Sequence, residues 1–283
     1  MKADMVSLER RLSAFQAILS NRVGSHQSIY PQFLLFGDSL LEFSSHLSDG
    51  FSFAAALQSR YIRRYDVINR GLSGYNTSQA LAVLPKIIPD PAFVQVAYLL
   101  ILFGANDACL QSSPTRQHVH LETFSRNLRA LIDHPQVTAH KPRIILVTPP
   151  PIEETECEAV DAEKGYSLSR HVAVTAEYAQ AVRDIGESAG DHVVVLDLWR
   201  TIMDEAVKQT DLDKTSPMLP GTRELGTNDY LKSIMPDGLH LNAVGYTIFL
   251  RELLDTLEKK WPKDTPEMQA FVLPNWRTAT KSD

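Results

Sequence analysis

Short apolar runs alternate with amphipathic stretches along most of the chain, and the two have different periods. Residues 33–36 (FLLF), 65–69 (YDVIN), 97–103 (AYLLILF), 143–148 (RIILVT) and 192–198 (HVVVLDL) have the length and composition of buried strands. Apolar positions recur at helical spacing over 53–64, 77–87, 121–132, 169–188 and 243–259. Pro149, Pro150 and Pro151 stop the fourth strand, because proline donates no ladder hydrogen bond. Apolar strands alternating with helices predict a parallel sheet covered on both faces. Right-handed crossovers then give a three-layer α/β/α sandwich around a mainly five-stranded parallel sheet.

The connections are less regular. Residues 152–168 carry Glu153, Glu154, Glu156, Glu158, Asp161 and Glu163, and read as a linker with a solvated acidic face. The stretch 209–236 is long and rich in Pro, Gly and Thr, the character of a lid or a binding wall. Leu8, Leu12, Phe15 and Leu19 predict a packing helix within an N-terminal extension over 1–30. The segment 265–283 holds Phe271, Val272, Leu273 and Trp276, too apolar for a free tail. It is expected to dock on its own subunit or on a neighbouring one, the latter making a homodimer. The whole of 1–283 reads as a single domain, a size that α/β domains reach.

Charge and composition narrow the partners. With 44% hydrophobic residues the chain can bury a large core, and its formal net charge of -6 implies no basic face for nucleic acid. Its two cysteines, Cys109 and Cys157, form no disulfide framework, which fits a cytoplasmic, reducing location. The longest apolar run, 96–103, falls far short of the ~18 residues of a membrane span, so no stable membrane anchor is expected. The N-terminus has no apolar secretory core, and Asp4 and Glu9 argue against a transit peptide despite Lys2, Arg10, Arg11 and Arg22.

Open α/β sheets hold their sites beyond the carboxyl ends of the strands. After the first strand comes GDSL with Ser39, and after the second NRGLSGYNT with Gly71 and Gly74. FGAND follows the third, with Gly104, Asn106 and Asp107, and DGLH, with Asp237 and His240, precedes the last helix. Singly, each has a plain structural reading: Asp38 or Ser39 as a helix cap, Asn106 as another cap, Gly71 and Gly74 as turn glycines with positive φ. Together they are the parts of an acyl-transfer site. A serine hydroxyl needs a base, histidine suits that role near neutral pH, and an acid fixes the imidazole tautomer. Ser39, His240 and Asp237 are therefore candidates for nucleophile, base and acid. The N–H groups of Ser39 and Gly74 and the amide of Asn106 are candidates for an oxyanion hole.

The rival serine is Ser73, but GLSGY has Tyr75 where a G-x-S-x-G elbow requires glycine. No H-E-x-x-H, P-loop or G-x-G-x-x-G is present, and His118 and His120 have no further ligands clustered in sequence. The expected chemistry uses neither metal nor cofactor.

The blocks GDSLLEF, NRGLSGYNTSQAL, LILFGANDAC and DGLHLNAVGY resemble, in order, those of the SGNH (GDSL-type) hydrolases, spanning most of the chain. Within that family GANDAC, DGLH and the closing LPNWR are most similar to the isoamyl acetate-hydrolysing esterases of fungi; the YNTSQAL stretch after Gly74 departs from them. The resemblance implies a flavodoxin-like strand order and a serine esterase acting on short-chain, acetate-type esters through an acyl-enzyme, with no cofactor. It places the nucleophile on Ser39, the base on His240, its acid on Asp237, and the oxyanion donors on Ser39, Gly74 and Asn106. Gly71 is then a neighbouring turn glycine, and Asp38 a structural residue bonding the turn. A lysophospholipase or thioesterase on the same fold, or a non-catalytic binding module, are the alternatives.

Overall fold

The computed structural model describes residues 28–210 and 218–279. The helix predicted from Leu8, Leu12, Phe15 and Leu19 lies outside the described residues, as does part of the 209–236 connection. In chain order the elements are β1 (Gln32–Gly37), α1 (Ser39–Glu42), α2 (Phe53–Arg60), β2 (Asp66–Gly71), α3 (Thr77–Ile87) and β3 (Val96–Leu102). Then come α4 (Leu121–Ile132), α5 (Pro135–Thr138), β4 (Arg143–Val147), α6 (Glu154–Glu163), α7 (Val172–Ser188) and β5 (Val193–Leu196). Helices α8 (Leu198–Gln209), α9 (Asp229–Ile234) and α10 (Ala243–Lys260) follow.

The strands form one parallel sheet in the order β2-β1-β3-β4-β5. Alternate residues feed opposite cores, as the period of two requires. Phe33 and Leu35 of β1, with Tyr98, Leu100 and Leu102 of β3, join residues of α2, α8, α9 and α10. Leu34 and Phe36, with Leu99 and Ile101, join residues of α3, α4 and α7. Residues 33–36 are essentially inaccessible, and burying each such side chain contributes about 1.5–3 kcal/mol. The three-layer sandwich is as expected. Its order reverses between β1 and β3, and the crevice beyond their carboxyl ends is where ligands bind in such sheets.

Two predicted boundaries move and one assignment fails. Helix α2 ends at Arg60, not residue 64, because Arg63 takes a left-handed φ of 63° as the chain turns toward β2. Helix α7 begins at Val172, after His171. The acidic stretch 152–168 is not a solvated linker: it forms α6, with Glu153, Glu154 and Asp161 buried. These acids satisfy backbone donors, which is why they sit inside. Glu153 caps the Glu156 N–H at 2.7 Å, Glu154 accepts from Val172 at 2.8 Å, and Asp161 accepts from Ser169 at 2.8 Å.

The C-terminal segment lies against the turn after α2. Val272 donates its N–H to the Arg63 carbonyl at 3.0 Å, and the Arg63 guanidinium donates to the Leu273 and Pro274 carbonyls. The guanidinium groups of Arg63 and Arg64 lie 4.2 and 4.5 Å from the Phe271 ring centre. Met268, Phe271, Leu273 and Trp276 nonetheless stay exposed.

Candidate active site

Strand β1 ends at Gly37, and Asp38 caps α1 through its Oδ1, which accepts the Leu40 N–H at 2.9 Å. That cap turns the chain sharply and sets Ser39 at the start of a helix, where its own N–H has no intrahelical partner. Ser39 is 8% exposed. Its Oγ lies 2.9 Å from His240 Nε2, and His240 Nδ1 lies 2.6 Å from Asp237 Oδ2. The other carboxylate oxygen of Asp237 accepts the N–H of Leu239 at 3.0 Å and of His240 at 2.7 Å. Burial pushes the Asp237 carboxyl up, but the hydrogen bonds from His240 outweigh it and bring its pKa down to about 2. An ionised Asp237 fixes the imidazole with its proton on Nδ1, leaving Nε2 to accept from Ser39.

Other contacts hold this arrangement. Tyr246, on α10, donates its hydroxyl to the Leu40 carbonyl at 2.8 Å, tying the helix after His240 to the one that carries Ser39. The Phe43 ring packs 4.9 Å from the His240 ring. A cleft of about 360 Å³ opens beside His240, with Phe43, His46, Pro236 and Leu241 in its walls. Among the described residues of the 209–236 connection, Pro236 is the one in its lining. An apolar depression of about 230 Å³, formed by Ile132, Val137, Ile144 and His192 among others, lies near the amino-terminal ends of β4 and β5 and contains none of these residues.

The two glycines after β2 differ. Gly74 has a φ of 80°, as a turn glycine should. Gly71 is not a positive-φ turn residue. It is the last residue of β2, and a Cβ there would come within 2.0 Å of the Glu42 backbone nitrogen, so β2 and α1 can approach only at a glycine. Asn69 fastens the same junction, donating to the Leu41 carbonyl at 2.6 Å and accepting the Gly71 N–H at 2.8 Å. Among the described residues, neither the Ser39 nor the Gly74 N–H has an acceptor. Asn106 is buried and donates from Nδ2 to the Tyr75 carbonyl at 3.0 Å. Ser73 is exposed, and its N–H donates to Glu42 Oε2.

A family comparison fits this geometry. The model of the GDSL-like lipase/acylhydrolase family matches residues 35–248. The chain belongs to the GDSL-like lipase/acylhydrolase family. Several curated relatives carry the name isoamyl acetate-hydrolyzing esterase, most of them as a homolog. The mouse homolog is 34% identical over 251 residues, covering 88% of each chain. The Saccharomyces cerevisiae enzyme is 29% identical over 258 residues, covering 88% of this chain and 94% of its own. Among solved structures, an acetylxylan esterase from Geobacillus stearothermophilus aligns with a TM-score of 0.54 at 20% identity, over 82% of this chain and 96% of its own. That likeness is one of fold.

Sequence reasoning missed several residues of this GDSL-like site. Arg170 and Gln117 both donate to Asn106 Oδ1, and Asp107 accepts the N–H and hydroxyl of Thr77. Asp38 Oδ2 and Asp107 Oδ2 are buried with no hydrogen-bond partner among the described residues. Burial raises the Asp38 pKa from 3.8 to about 7; the Leu40 hydrogen bond opposes this, and the Asp107 charge adds to it. Burial likewise raises Asp107 to about 6, against its bonds from Thr77.

An acid with a raised folded pKa stabilises most below its unfolded value near 3.8, and this contribution is lost as pH rises through about 7. Asp38→Asn keeps an oxygen for the Leu40 cap and removes the titration. Its melting temperature should exceed that of the parent by at least roughly 2 °C at pH 8, with the gap closing toward pH 4. A gap independent of pH would show that Asp38 does not titrate in this window.

Proposed function

We propose that the protein hydrolyses short-chain, acetate-type carboxylic esters, with Ser39 as nucleophile and His240 and Asp237 completing its triad. The observation that carries this is the unbroken relay from Ser39 Oγ to His240 Nε2, 2.9 Å, and from His240 Nδ1 to Asp237 Oδ2, 2.6 Å. His240 takes the Ser39 proton as Oγ attacks the ester carbonyl, and the imidazolium is held by the Asp237 carboxylate. The oxyanion is met by the open N–H groups of Ser39 and Gly74 and by the Asn106 amide, each such donor typically worth ~10²–10³ in rate. His240 then protonates the leaving alcohol, and water, deprotonated by the same histidine, releases the acid from the acyl-serine. The short acyl preference is supported by the relatives named for isoamyl acetate hydrolysis.

A chain-length series of p-nitrophenyl esters tests the reading. We expect kcat/KM to be greatest at acetate to butyrate; a maximum at twelve carbons or more would indicate a lysophospholipase- or thioesterase-type preference. The exposed Met268, Phe271, Leu273 and Trp276 support a homodimer. Light scattering should give twice the 31.7 kDa chain mass, and a mass of one chain at micromolar concentration would count against it.

A further inference from the structure

The Asn106 carboxamide is clamped from both ends. Its Oδ1 accepts from Arg170 Nη2 at 3.0 Å and from Gln117 Nε2 at 3.2 Å, while its Nδ2 donates to the Tyr75 carbonyl at 3.0 Å. Two donors on the oxygen decide which end is which, because a flipped amide would set its NH₂ against both. Nδ2 carries two hydrogens, and one remains without an acceptor among the described residues. Gln117 Nε2 also donates to the Gly74 carbonyl at 2.9 Å, so one side chain joins two of the proposed oxyanion donors.

Arg170 is more than nine-tenths buried, yet it forms no ion pair among the described residues. Its guanidinium is satisfied by neutral acceptors: the Ala105 carbonyl at 3.0 Å, the Ser169 hydroxyl at 3.1 Å and Asn106 Oδ1. A buried cation with no carboxylate in contact is costly, and hydrogen bonds to neutral oxygens, with the buried Asp38 carboxyl within range of its field, offset only part of that. The placement is useful where negative charge develops during a reaction. A cation on the carbonyl end of an amide draws electron density from the nitrogen and strengthens its N–H as a donor.

We propose that Arg170 is a positioning residue for the transition state. With Gln117 it locks the Asn106 carboxamide, and its charge polarises the open Asn106 N–H toward the oxyanion. This rests on the reading of Ser39 as nucleophile and Asn106 as an oxyanion donor.

The test compares Arg170→Met, Arg170→Lys, Gln117→Met and Asn106→Ala in the full chain with p-nitrophenyl acetate, and adds the Arg170→Met/Asn106→Ala double variant. Asn106→Ala should lose ~10²–10³ in kcat. Arg170→Met should lose roughly tenfold to a hundredfold in kcat with KM little changed, since the effect is confined to the transition state. Arg170→Lys should recover part of the loss, because it keeps the charge but not the fork. In the Asn106→Ala background, Arg170→Met should cost almost nothing further, the signature of acting through that amide. Equal losses in both backgrounds, or full activity of a folded Arg170→Met, would overturn the proposal while leaving the triad standing. Should Arg170→Met fail to fold, Arg170→Lys and Gln117→Met carry the test. Each must lower kcat without raising KM, and the Arg170→Lys effect must vanish when Asn106 is already Ala, whereas Gln117→Met, which also releases Gly74, must lose part of its effect there; otherwise the proposal falls. Full activity of Asn106→Ala would overturn both the proposal and the oxyanion reading beneath it.

Discussion

Ser39→Ala should abolish ester hydrolysis, a loss on the order of 10⁶ in kcat, while leaving the thermal unfolding transition almost unmoved. The local structure does not depend on the hydroxyl. The turn is held by Asp38 Oδ1 on the Leu40 N–H and by the Tyr246 hydroxyl on the Leu40 carbonyl, and both survive the substitution. What disappears is the single side-chain contact to His240. Labelling by a fluorophosphonate should vanish with the activity. Ser73→Ala provides the contrast, because that serine is exposed and, among the described residues, only its backbone N–H has a hydrogen-bond partner, Glu42. It should keep most of the rate. An inactive Ser73→Ala beside an active Ser39→Ala would reverse the assignment.

Asp237→Asn should lose up to ~10⁴ in kcat without disturbing the loop that holds it. An asparagine can keep its oxygen at the Oδ1 position, where the Leu239 and His240 backbone N–H groups are bound at 3.0 and 2.7 Å. Its NH₂ then faces His240 Nδ1. That nitrogen must become the acceptor, the ring proton moves to Nε2, and Nε2 can no longer take the proton of Ser39. The carboxylate that stabilises the imidazolium is lost at the same time. Retention of near-full activity would reduce the triad to a Ser39–His240 dyad oriented by another group.

The parts of this site that were legible in sequence share a property: each is announced within a few residues. Ser39 and Asn106 follow runs that are apolar on both faces, and His240 sits three residues after its acid and just before a helix. The alternation of strands and helices gives the parallel sandwich, whereas the strand order, and with it the crevice, is what the family resemblance implies. The supporting residues lack any local sign. Arg170 reaches Asn106 across 64 positions, so nothing in SLSRHVAV distinguishes it from a surface arginine. The acids of α6 mislead for the same reason: a carboxylate that accepts a distant backbone N–H reads in sequence like one facing water. Gly71 was visible as a glycine, but its reason is a neighbour's backbone rather than its own φ.

The hydrogen bond between Ser39 and His240 joins residues 201 positions apart, and the helix that secures it, α10, ends at Lys260. During synthesis at roughly 5–20 residues per second, the serine therefore precedes its base by about 10–40 s. Throughout that interval the emerging polypeptide carries an ordinary, unactivated alcohol. On the reading of Ser39 and His240 as nucleophile and base, all five strands are made before the base, so a truncated translation product that stops before the last helix should be inactive toward esters.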